Sequence, residues 1–193
     1  MSTPPPDPRP LTGEPLPLDL LNTRWVDGGG PRDLLRMPDG VRTWLASAGL
    51  DTAAADDPAT SDALLATREA LAVLVGADAQ ADRAQAVAAL NRTLARGRVR
   101  RELGPDGPAA VVETDTPAWL PAWRAAEGYL RLVEADPGGL RVRKCANPAC
   151  VLHFHDTSKN GGRRWCSMAG CGNRAKASRH YARSRRDQAA TSG

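Results

Sequence analysis

Cys145-Ala146-Asn147-Pro148-Ala149-Cys150, answered by Cys166-Ser167-Met168-Ala169-Gly170-Cys171, decides how the last quarter of this chain is built. Each pair encloses four residues, fifteen residues separate the pairs, and they contain all 4 cysteines of the chain. A structural Zn²⁺ takes four tetrahedral ligands, often thiolates in two short pairs with roughly two to four residues inside each. Two disulfides are the competing reading, and they need an oxidising compartment and usually a secretory signal. Residues 1–20 carry no apolar signal core; they are proline-rich and interrupted by Asp7, Arg9 and Glu14. The expectation is one Zn²⁺ per chain on Cys145, Cys150, Cys166 and Cys171, in a cytoplasmic protein. His153 and His155 are also ligand types, but four thiolates at matching spacing leave them as side chains of a hairpin.

Working outward, the residues after Cys171 turn basic: Gly172-Asn173-Arg174-Ala175-Lys176-Ala177-Ser178-Arg179-His180-Tyr181-Ala182-Arg183-Ser184-Arg185-Arg186. Between residues 141 and 186 there are twelve Lys/Arg against Asp156 alone, whereas residues 1–140 carry a net −6, so the overall +4 conceals two unlike ends. On a helix, Lys176, Arg179 or His180, Arg183 and Arg186 share one face, and Arg174, Ser178, Tyr181 and Arg185 an adjacent one. With Arg163 and Arg164 they make a continuous cationic surface. A merely solvated helix would interleave both signs. The expected partner is therefore nucleic acid, gripped by Arg163, Arg164, Arg174, Lys176, Arg179, Arg183, Arg185 and Arg186; an acidic protein surface is the alternative. Cys171 falls at the helix start, where the dipole favours thiolate, and Asn173 reads as a turn or cap residue.

Upstream, 193 residues with 41% hydrophobic content allow one medium domain and a small one. No apolar run approaches the length of a membrane span. Residues 1–15 read as a disordered proline-rich tail, residues 16–139 as a mixed α/β (α+β) body and residues 140–187 as the finger. Within the body, residues 16–22 read as a short strand broken by Gly28-Gly29-Gly30-Pro31. Helices are expected over 39–49, 61–77, 81–95 and 116–135, the last with an apolar stripe of Trp119, Trp123, Ala126, Leu130 and Val133. Gly104-Pro105-Asp106-Gly107 predicts a hairpin between 98–103 and 109–113. In the finger, Cys145–Cys150 reads as a knuckle and residues 151–165 as a hairpin turning near 158–162, with Trp165 in the small core.

Chemistry beyond metal binding has little to stand on. Gly28-Gly29-Gly30 lacks the Lys and helix of a phosphate loop, and all 3 histidines lie in the finger. A zinc-stapled nuclease would draw on His153, His155, Asn173 and His180, yet Asp156 is the sole carboxylate near them. The expectation is no enzyme. Asn22, Arg68 and Asn91 are polar residues at or beside inward-facing positions; they line a small-ligand pocket or, alternatively, are satisfied core polar groups.

Cys171-Gly172-Asn173-Arg174, within RRWCSMAGCGNRAKASRHYARSRR at 163–186, resembles the signature of CGNR-type zinc fingers. Leu18-Asp19-Leu20-Leu21-Asn22-Thr23, with Arg68-Glu69-Ala70-Leu71 and Leu90-Asn91, is similar to the α/β domain named ABATE that precedes such fingers. Together the resemblance spans about 17–186. It implies a treble-clef-like finger and a bacterial transcription regulator that reads double-stranded DNA in preference to RNA. With no credible catalytic motif in it, the N-terminal domain is expected to sense a small-molecule effector or mediate assembly, for instance as a homodimer. The hairpin departs from the family pattern, carrying His153-Phe154-His155-Asp156 where apolar or aromatic residues are common.

Overall fold

The structure, a computed structural model, describes residues 6–51, 53–76 and 80–177. Residues 16–22, expected as a strand, form helix α1 (Leu16–Leu21) instead. Pro17 sits in the first turn, where a missing N–H costs nothing, and Asn22 closes the helix by donating its N–H to the Leu18 carbonyl. Six residues cannot hold a helix alone in water. Burial of Pro17, Leu18, Asp19, Leu20 and Leu21 does it, because α1 packs against α3, α5 and β6 at once.

The proline-rich stretch before α1 is also not a disordered tail over its described part. Arg9 is buried, with its guanidinium on Asp7, on the Asp19 carbonyl (2.9 Å) and on the Asp19 carboxylate (2.7 Å). Asp19 accepts the Trp44 indole N–H as well (3.0 Å). A buried charge must be paired and hydrogen-bonded to be tolerated, and here the pairing pins the N-terminal segment to the core.

Strands β1 (Arg24–Asp27) and β2 (Gly30–Asp33) pair antiparallel through a two-residue Gly28-Gly29 turn, so the glycine run makes a hairpin rather than only ending an element. Helix α2 (Gly40–Ser47) follows, and a Cβ at Gly40 would collide with the Leu34 carbonyl oxygen, which fixes glycine there. Helix α3 (Pro58–Val75) has Pro58 in its first turn and an Asp57 cap that accepts the Ala59 N–H (2.8 Å). Helix α4 (Gln80–Leu94) packs against α3, where Thr67 and Thr93 share a buried hydroxyl contact of 3.1 Å.

The turn at Pro105-Asp106 joins β3 (Gly97–Gly104) to β4 (Gly107–Thr114) as expected, in an arm exposed along most of its length. Helix α5 (Leu120–Ala135) buries Pro121, Ala122, Trp123, Ala125 and Ala126. The expected stripe holds only in its first half, because Leu130 and Val133 are 40% and 43% exposed. The core of the body is Leu18, Leu20, Trp44, Leu45, Leu64, Leu71, Ala122, Ala125 and Ala126, all fully buried. Each large apolar side chain there contributes about 1.5–3 kcal/mol.

Strand β5 (Val142–Lys144) pairs antiparallel with β6 (His153–His155). The expected hairpin over 151–165 is thus displaced: the two strands flank the Cys145–Cys150 knuckle, and residues 156–165 form a loop. Strand β6 also packs on α1, so the finger rests on the centre of the body. No helix among the described residues is long and apolar enough to cross a membrane.

Candidate metal centre

The four cysteines arrive at one point from two directions. Cys145 ends the β5 strand edge, with its N–H on the Leu152 carbonyl (2.9 Å), and the Ala146 N–H reaches the Arg164 carbonyl (2.8 Å). The knuckle closes where the Cys150 N–H meets the Asn147 carbonyl (2.9 Å). Cys166 and Cys171 bracket a turn in which Ser167 caps the Gly170 N–H (3.0 Å), and Cys171 lies in the wide helical turn Met168–Gly172 that leads into α-helix from residue 173.

All four sulfurs lie within 4.8 Å of one another and every one of these cysteines is buried. Cys150 and Cys166 are 3.9 Å apart at sulfur. Tetrahedral zinc with Zn–S bonds of about 2.3 Å requires S···S separations of about 3.8 Å, so the donor set fits the ion in number, softness and spacing. His153 and His155 stay outside the cluster.

Polar donors surround two of the sulfurs. Cys145 accepts the Cys166 N–H (3.4 Å), and Cys171 accepts both the Asn147 side-chain amide (3.3 Å) and the Arg174 guanidinium (3.3 Å). Without metal, the hydrogen bond from Cys166 draws the Cys150 thiol down to about 5, and the same bond with burial drives Cys166 upward. Burial likewise raises Cys145. Thiolate ligation of a metal displaces thiol protons, which makes affinity rise with pH.

Asp156, fully buried, organises the loop between the pairs. Its carboxylate accepts the Ser158 N–H (3.0 Å), the Ser158 hydroxyl (2.6 Å) and the Arg163 N–H (2.9 Å). Arg163, expected on nucleic acid, is part of this framework. It donates to the carbonyls of His155 (3.3 Å), Trp165 (3.2 Å) and Cys166 (2.6 Å), lies 4.2 Å over the Phe154 ring, and pairs with Glu14 (3.1 Å). Arg164, by contrast, is exposed, 5.2 Å over the Trp165 ring, and Lys176 is exposed too. Arg174 is exposed while touching the Cys171 sulfur. Arg179, Arg183, Arg185 and Arg186 lie outside the described residues.

The polar trio in the body is not brought together. Asn22 is fully buried and clamps the finger main chain: its Nδ2 donates to the His153 carbonyl and its Oδ1 accepts the His153 N–H, both 2.9 Å. Arg68 is buried on Asp33 (2.6 and 2.7 Å) and Thr23 (2.8 Å). Asn91 is exposed. Sequence reasoning missed Glu14, Asn147 and Asp156 as finger-building residues. Asn147 carried a usable signal, since an Asn between paired cysteines has an amide within reach of sulfur.

A four-thiolate zinc centre set on an α+β body defines a zinc-finger protein. Two family descriptions match the chain: the CGNR zinc finger over residues 141–184, and ABATE, described as "Putative stress-induced transcription regulator", over residues 14–149. The second spans more than half of the protein, which belongs to the ABATE family and carries a CGNR zinc finger holding one zinc ion per chain. No match is found among the curated proteins.

Proposed function

We propose that this protein is a cytoplasmic DNA-binding transcription regulator, not an enzyme, whose finger grips duplex DNA and whose body senses a ligand or mediates assembly. The observation that carries the reading is the placement of Cys171. Zinc ligation fixes the start of the helix at residue 173, and from there to residue 186 the sequence holds Arg174, Lys176, Arg179, Arg183, Arg185 and Arg186 and no carboxylate. Lys176 in that helix and Arg164, two residues before Cys166, are exposed cations. Asp156, the sole carboxylate between residues 141 and 186, is engaged in holding a loop, which supports binding over hydrolysis. A knuckle flanked by paired strands, with the second cysteine pair at a helix start, supports a treble-clef-like finger.

A salt titration tests the proposal. With about five phosphates contacted, log K should fall against log salt with a slope of roughly −4 to −5. Zinc-loaded protein should also prefer some duplex sequences over others, because phosphate contacts alone carry no sequence information. Absence of salt-dependent binding to DNA would remove the regulator reading. Tighter binding to RNA than to duplex would move it to an RNA module.

A further inference from the structure

Between body and finger lies a cleft of about 680 Å³, inside the range of roughly 300–1,000 Å³ typical of small-molecule sites. Its apolar lining comes from both units: Leu21, Ala72 and Val73 from α1 and α3, Val142 and Val151 from the finger. We infer that this cleft binds an amphipathic organic anion, an aromatic or alkyl body carrying one acidic group, held with its charge toward Lys144. The inference deepens the ligand-sensing half of the proposed function and rests on it.

Charge complementarity selects the sign of the ligand. Of the cations that line the cleft, Arg24 is paired with Glu69, and Arg68 with Asp33. Lys144 is exposed at the rim and has no ion pair among the described residues. His153, also on the lining, is held neutral because burial and then Lys144 push its pKa down to about 4. The cleft therefore carries one uncompensated positive charge over an apolar floor. Both walls would be in contact with one ligand, and the finger wall includes His153, whose main chain Asn22 clamps.

The test uses the full zinc-loaded chain without nucleic acid, so its outcome is independent of DNA binding. The probe is 8-anilinonaphthalene-1-sulfonate, an aromatic body with one sulfonate that fluoresces when shielded from water; its neutral relative N-phenyl-1-naphthylamine is the comparison. Saturable one-to-one binding of the sulfonate is expected. Lys144→Glu should weaken the sulfonate about tenfold by reversing the charge at the rim, and leave the neutral probe unchanged. Ala72→Phe, which fills the floor, should abolish both. Zinc content and circular dichroism check that each variant is folded, and Lys144→Glu, at an exposed position, keeps the test open if Ala72→Phe is not. Equal sulfonate affinity for wild type and Lys144→Glu, non-saturating binding, or equal weakening of both probes by Lys144→Glu would overturn the inference.

Discussion

Body and finger are held together by different chemistry, though their buried residues form one continuous cluster. The body buries Leu18, Leu20, Trp44, Leu45, Leu64 and Leu71 completely and owes its fold to apolar surface removed from water. The finger, from residue 141, has Leu152 and Phe154 as its fully or nearly fully buried large apolar side chains, and its other buried side chains among the described residues are the four cysteines and Asp156. The lesson is that one cluster need not be one folding unit. The finger is expected to depend on its metal, and the body to feel that loss at the seam where Asn22 and Glu14 reach across.

The sharpest way to break this comparison is to remove the metal. Structural zinc contributes on the order of 10 kcal/mol to folding such modules. Chelation or Cys166→Ala should therefore eliminate bound zinc by metal analysis and collapse the amide signals of residues 141–177. Signals around Trp44 and Leu71 should persist, and a fragment ending near Gly139 should fold and show no affinity for nucleic acid. Loss of the body signals on chelation would show that zinc supports both units.

A smaller effect belongs to the body alone. Arg68 is fully enclosed on Asp33 and Thr23, and breaking a buried pair by deleting one partner costs about 3–5 kcal/mol. Arg68→Ala should lower the unfolding free energy from urea titration by that much without altering zinc content. The same pair sets a pH dependence. Burial raises the Asp33 pKa, but hydrogen bonds and charge from Arg68 and Arg24 outweigh it, so the net shift is downward. A depressed carboxylate contributes stability that is fully present above its unfolded pKa of about 3.9 and is lost as pH falls through the folded value. The wild-type body should lose this contribution below about pH 4, and Asp33→Asn should flatten that part of the profile.

The seam comes next in size. Asn22→Ala removes two hydrogen bonds and leaves the His153 N–H and carbonyl without those partners. An unsatisfied buried polar group costs about 1–3 kcal/mol. Hydrogen exchange at His153 should accelerate while zinc stays bound; unchanged exchange would mean that Asn22 does not hold the finger.

What the sequence showed depended on whether a signal was local. The zinc ligands were legible because two cysteine pairs with equal spacers suit a tetrahedral ion directly, and β3–β4 because Pro105-Asp106-Gly107 specifies its turn. Helix α1 was not, since six residues of LPLDLL fit alternation and helical spacing alike and tertiary burial decides between them. Arg9 and Glu14 were hidden in a proline-rich stretch because their partners, Asp19 and Arg163, are chosen by the fold. The finger hairpin was misplaced because turn residues at 158–162 look like a β-turn, whereas the side chain of Asp156 folds them into a loop. Composition also counts a cation without saying what it faces, which is how Arg163 came to stand beside Arg164.

Those two neighbours give the finest test of the difference between a residue that builds the finger and one that the finger presents. Arg163 donates to three carbonyls and to Glu14. Arg163→Ala should destabilise the finger, seen as weaker zinc retention against a chelator, and should reduce DNA binding only in step with that loss. Arg164 is exposed and its guanidinium touches only the Trp165 ring among the described contacts. Arg164→Ala should leave zinc retention intact and weaken all duplex sequences alike, making the salt slope shallower by about 0.9, the share of one phosphate. A salt slope unchanged in Arg164→Ala would take this side chain off the nucleic-acid surface and confine the proposed grip to the helix that begins at residue 173.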